Sequence, residues 1–156
     1  MRLLLRSAAI LAIMVPALPV AAQKRYPSSA GELTVETVAS GLENPWGLAF
    51  LPDGRMLVTE RPGRLRLVET DGKLSRPISG LPNVMARGQG GLLGIALDPA
   101  FAQNRLVYLS FSEPRSGGNG TSVTRGRLNE QGTALSGVEV IFRQMHKISS
   151  NMHYGS

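Results

Sequence analysis

Residues 44–68, NPWGLAFLPDGRMLVTERPGRLRLV, decide the fold. Short apolar runs alternate here with turn residues at a spacing that leaves no room for a helix of ordinary length. Trp46 to Leu51 has the length of a buried strand, and Pro52-Asp53-Gly54 closes it with residues suited to a tight turn. Arg55 to Thr59 gives the next strand. Pro62-Gly63 makes a second turn, and Leu65 to Val68 alternates apolar with polar residues before Asp71-Gly72. Three strands joined by tight turns predict an antiparallel meander. Asp53, Asp71 and Asp98, each beside Gly or Pro at a strand end, are expected to cap turns through their carboxylates. Trp46 is assigned to packing within or between sheets.

Further along the chain the same order returns about 47 positions later. Gly94-Ile95-Ala96-Leu97-Asp98-Pro99 matches Gly47-Leu48-Ala49-Phe50-Leu51-Pro52, and Leu106 to Ser110 takes the place of Met56 to Thr59. Pro99 to Asn104 is expected to form one helical turn between these strands. Ser116 to Gly120 (SGGNG) reads as a flexible loop, Thr121 to Leu128 as a third strand and Val138 to Arg143 as a fourth. A repeat of about 40 to 50 residues made of four short strands marks a β-propeller blade. The fold class is therefore all-β, a β-propeller, with blade repeats at about 46–86 and 93–143. Two blades do not close a ring, so residues 33–156 are expected to be the N-terminal part of a larger propeller.

The amino terminus is of a different kind. Residues 1–22 have a basic start (Arg2, Arg6), an apolar stretch from Leu3 to Val20 and small residues at the end. That is the pattern of a secretory signal peptide, with cleavage expected before Gln23. Pro16 and Pro19 interrupt the apolar stretch, and no later run approaches the roughly 20 apolar residues of a spanning helix, so no membrane span is expected in the mature chain. A polar leader, 23–32, follows. The remaining length is that of one ordinary domain, with apolar content sufficient for a core. Export without a single cysteine leaves stability to packing, and a bacterial periplasmic or secreted protein is expected. The net charge is +6, but the basic residues are scattered and only four Phe and three Tyr are available to stack bases. Nucleic acid is excluded as a partner on that ground.

The densest unusual stretch is Ala86-Arg87-Gly88-Gln89-Gly90-Gly91-Leu92-Leu93-Gly94. It lacks the G-x-G-x-x-G spacing of a dinucleotide-binding loop, and Pro99 arrives before a helix could form. It reads as a turn leading into a strand, with Gln89 carrying an amide able to hydrogen-bond a polar ligand. His153, among Asn, Tyr, Gly and Ser, is a candidate proton acceptor. His146, beside Lys147, reads as a surface residue. No Cys or carboxylate lies between the two histidines, so no metal ligand is assigned. Asn119-Gly120-Thr121 matches a glycosylation acceptor pattern and carries no weight alone.

Three stretches, NPWGLAFLPDGRMLVTERPGRLRLV, RGQGGLLGIALDPAFAQNRLVYLSFSE and NMHYGS, together resemble the soluble glucose/sorbosone dehydrogenase family. Its members are pyrroloquinoline quinone (PQQ)-dependent aldose sugar dehydrogenases. The resemblance implies a six-bladed propeller, exported to the periplasm and loaded with PQQ and calcium. By the same resemblance Gln89, in a GQGGLLG-like motif, contacts the cofactor, and His153 falls on the catalytic base of an H-x-G-S/G-like motif. The reaction implied is oxidation of the anomeric hydroxyl of an aldose to the lactone, with an external electron acceptor. The calcium ligands and the basic residues around PQQ would come from later blades, so none is named here. Two alternatives stand beside this reading: a calcium-dependent lactonase-type propeller and a non-catalytic carbohydrate-binding propeller.

Overall fold

The computed structural model describes residues 24–147, 149–150 and 152–155. The expected signal peptide, 1–22, lies outside the described residues. The chain divides into two units, 1–37 and 38–156.

In the first unit, β1 (Lys24–Ser28) and β2 (Gly31–Val35) form an antiparallel hairpin with Lys24 opposite Val35 and Ser28 opposite Gly31. The leader is therefore paired strand from Lys24 onward, whereas its polar composition places the first strand at Leu33. Backbone pairing overrides the hydrophobic pattern: the Ser28 hydroxyl donates to Gly31 O and accepts from Ala30 N–H, closing the turn. Pro27 fits because a two-stranded hairpin consists only of edge strands.

The second unit holds two antiparallel sheets. The first is β3 (Pro45–Phe50), β4 (Met56–Glu60) and β5 (Arg64–Val68) in chain order. The second is β6 (Leu92–Leu97), β7 (Leu106–Arg115), β8 (Gly118–Leu128) and β9 (Leu135–Arg143), again in chain order. These are two consecutive blade-like meanders, as the repeat predicts. The one helical turn, α1 (Phe101–Asn104), sits between β6 and β7, where Pro99 to Asn104 places it. Leu57, Leu65 and Leu67 of the first sheet join Leu92, Val107, Leu109, Phe111 and Leu128 of the second in one buried cluster. All three turn carboxylates cap as expected: Asp53, Asp71 and Asp98 each accept a backbone N–H two residues on, at 2.9–3.1 Å.

One expectation fails. SGGNG is not a loop, because β7 and β8 stay paired as far as Arg115 opposite Gly118, and only Ser116 and Gly117 make the turn. Gly117 at φ +74 supplies the left-handed backbone that so short a turn requires. Trp46 is 52 % exposed, together with Leu48 and Phe50 on β3, since no described element covers them.

The repeat extends to a polar detail. Each sheet has a register shift in its first strand, between Pro45 and Leu48 and between Leu92 and Ile95. In each, a hydroxyl of the neighbouring strand accepts the glycine N–H freed by the shift. Gly47 donates to Thr59 Oγ1 at 2.8 Å and Gly94 to Ser110 Oγ at 2.8 Å. Thr59 then joins the sheets, its fully buried hydroxyl donating to Leu93 O at 2.5 Å. Gly47 permits this approach, because a Cβ there would lie 3.0 Å from Leu93 O and 3.1 Å from Thr59 Oγ1. Thr59→Val keeps the shape and strands both partners, so it is expected to lower unfolding free energy by about 1–3 kcal/mol. Thr59→Ser is expected to retain most of it, as read by denaturant titration.

Candidate active site

The segment before β6 carries Gln89. Gly88 takes φ +60, Gly90 N–H donates to Arg87 O at 2.9 Å, and the chain turns tightly enough to leave the Gln89 side chain exposed. The glycines next to it serve packing within the protein. A Cβ on Gly91 would lie 2.4 Å from Arg61 O, and one on Gly90 would lie 2.8 Å from Met85 O.

His153 lies in the segment after β9, which folds back on the β7–β8 hairpin. Arg115 Nη1 donates to Gln144 O at 2.7 Å, and Gln144 Oε1 accepts Thr121 N–H at 3.2 Å. Further on, Asn119 Nδ2 donates to Ser150 O at 2.8 Å and Tyr154 OH donates to Asn119 Oδ1 at 2.6 Å. Gly155 N–H donates to Thr121 Oγ1 at 3.1 Å. Between these anchors His153 adopts φ +63, a left-handed backbone uncommon outside glycine. Its N–H donates to Gln89 Oε1 at 2.9 Å.

The structure thus brings Gln89 and His153 together. A backbone N–H needs an acceptor, so the amide orientation of Gln89 is fixed, with Oε1 toward His153 and Nε2 left as a donor. Among the described residues no protein group hydrogen-bonds that Nε2 or the His153 ring. His153 lines a pocket of about 270 Å³ with Thr121, Phe142, Gln144 and Gly155. His146 is exposed and takes no part. Among the described residues no group of three or more His, Cys, Asp or Glu could hold a metal ion.

Sequence reasoning missed Arg115, Asn119 and Tyr154. Asn119 is 5 % exposed with both amide atoms engaged, which also closes its glycosylation pattern to modification in the folded state. Beneath them lies a charged network. Glu113 Oε2 accepts from Arg143 Nε at 2.9 Å, Ser122 Oγ at 2.8 Å and Arg115 Nε at 2.8 Å. Burial by itself raises the Glu113 pKa, but hydrogen bonds from Arg143, Ser122 and Arg115 and the charge of Arg143 outweigh it and hold the carboxyl at about 2.

The comparisons with known proteins place the chain in a family. The profile of the family described as Glucose / Sorbosone dehydrogenase matches residues 42–156. The chain belongs to that family. It is 46 % identical over 125 residues to the aldose sugar dehydrogenase YliI of Escherichia coli (strain K12), a match covering 79 % of this chain and 34 % of that protein. The apo-form crystal structure of the soluble aldose sugar dehydrogenase from Escherichia coli superposes with a TM-score of 0.73 at 45 % identity, over 77 % of this chain and 35 % of that one. The PQQ-bound form of aldose sugar dehydrogenase from Streptomyces coelicolor gives 0.63 at 32 % identity, over 81 % and 36 %. The chain spans about one third of the length of these relatives.

Glu113 links the site's support to pH. Its folded pKa lies below the ordinary 4.5, so the unfolded chain binds more protons on acidification. The stability it contributes is complete above the ordinary value and is lost as pH falls through about 2. Melting temperature is therefore expected to decline between those limits, and Glu113→Gln is expected to make the decline shallower. An unchanged slope in the variant contradicts the network's role.

Proposed function

We propose that this chain supplies the catalytic base and one ligand contact of a periplasmic quinoprotein that oxidises the anomeric hydroxyl of an aldose to the lactone. The observation that carries the proposal is the hydrogen bond between His153 N–H and Gln89 Oε1. It ties the backbone of the residue that carries the imidazole to the Gln89 side chain, and no described protein group hydrogen-bonds the ring or the Gln89 amide nitrogen.

Those two groups fit a PQQ site. Gln89 Nε2 is a donor suited to the oxygens of a quinone or a sugar, and the His153 ring can accept a hydroxyl proton near neutral pH. PQQ, when bound, supplies the two-electron acceptor for the hydride leaving the anomeric carbon. His153 takes the proton of the anomeric hydroxyl. Gln89 performs two tasks at once, donating from Nε2 to a ligand oxygen and fixing the His153 backbone through Oε1. Orientation of this kind matters because a base works only when held within hydrogen-bond reach of the proton it removes. Calcium, by family resemblance, would be bound by residues outside those described. An external acceptor would reoxidise the cofactor, and the export pattern of residues 1–22 supports a periplasmic or secreted location.

The test uses the protein at the full length of its relatives, loaded with calcium and PQQ and assayed by dye reduction with an aldose. Turnover is expected, and His153→Gln is expected to lower kcat by at least about 100-fold. Turnover unaffected by that substitution overturns His153 as the base. Sugar binding with no quinone-dependent turnover favours the carbohydrate-binding alternative. Residues 23–156 alone are expected to show no dye reduction.

A further inference from the structure

Arg61 and Ser112 hold equivalent places in the two sheets. Each follows the residue paired with the first residue of its sheet, Glu60 opposite Pro45 and Phe111 opposite Leu92. Each donates its backbone N–H at 3.0 Å to the residue just before that sheet, Arg61 to Asn44 O and Ser112 to Gly91 O. Both also grip one short segment, Met85 to Gly91, from opposite sides.

From the second sheet, the Ser112 hydroxyl accepts Gly91 N–H at 2.7 Å and donates to Met85 O at 2.7 Å. Met85 N–H returns to Ser112 O at 2.9 Å. From the first sheet, Arg61 Nη2 donates to Gly88 O at 3.1 Å and Arg61 O accepts Leu92 N–H at 3.1 Å. Ser112 is fully buried, and its hydroxyl proton is already committed to Met85 O, so it is not poised as a nucleophile. What the hydroxyl does is join the first and last residues of the segment that presents Gln89.

We propose that Ser112 is a positioning residue of the sugar-oxidising site: its hydroxyl ties Met85 to Gly91, fixes Gln89 between them, and through Gln89 Oε1 holds the backbone of His153. The functional half rests on the roles proposed above for Gln89 and His153, while the structural half does not. Without the hydroxyl, buried Gly91 N–H loses its side-chain acceptor, so the loop must shift or admit water. No other hydrogen bond of the Gln89 side chain is found among the described residues, so it moves with the loop.

The experiment compares Ser112→Ala, Gln89→Ala and the double variant in the full-length protein. Amide hydrogen exchange of the apo-protein is followed at Gly91 and His153, and kcat/KM for an aldose is measured on the loaded enzyme. In Ser112→Ala, exchange at both amides is expected to quicken about tenfold and kcat/KM to fall about tenfold. In the Gln89→Ala background the same substitution is expected to cost less than about twofold, since it acts through Gln89. Unchanged exchange at His153, or full additivity of the two activity losses, overturns the proposal. If the unsubstituted protein oxidises no sugar, the functional reading falls and exchange at His153 alone decides the positioning role. Should Ser112→Ala fail to fold, Arg61→Met, which releases Gly88 O, is read in the same way with the same outcomes.

Discussion

An amide oxygen and a backbone N–H separated by 64 residues in the chain, those of Gln89 and His153, meet at 2.9 Å. The rest of the site depends on this contact because His153 sits at φ +63. A side-chain-bearing residue in the left-handed region is disfavoured by roughly 1–2 kcal/mol, so the surroundings must hold it there. Gln89 does so on one side, and Tyr154 and Gly155 on the other, through Asn119 and Thr121. The backbone that carries the imidazole is thereby held in place.

Both partners reach this contact from irregular segments, and the sheets make those segments rigid. The Gln89 loop is pinned between equivalent residues of two successive sheets. The His153 segment lies on the β7–β8 hairpin, whose arginine and glutamate side chains are mutually satisfied. Glu113 tolerates partial burial because three donors compensate the loss of water, and Arg115 passes the restraint on to Gln144 O.

Much of this was legible in the sequence, and particular residues show why. Pro52-Asp53-Gly54 and Asp98-Pro99 mark turns through local backbone chemistry, so the meander and its repeat follow from spacing alone. Gln89 and His153 stood out as polar side chains in settings that packing does not explain, and the family resemblance implied the roles proposed for them. Three things were hidden. β1 (KRYPS) has no apolar alternation, because its pairing with β2 is carried by the backbone. SGGNG has the composition of a loop, yet a two-residue turn with glycine at positive φ needs the same letters. Ser112, Arg115 and Asn119 reach the site segments through partners 21 to 35 residues away, and no local pattern encodes so distant a hydrogen bond.

The hydroxyl pair formed by Thr59 and Ser110 has a consequence for how such a protein can grow. Each stands at the same register shift and takes the equivalent glycine N–H, and the Thr59 hydroxyl also meets a carbonyl of the following sheet. The joint is built from one hydroxyl and one irregularity in the ladder, independent of which leucines fill either interior. Gene duplication could therefore add a meander without redesigning the one before it, since each copy would bring both the socket for its own glycine and the proton for its successor.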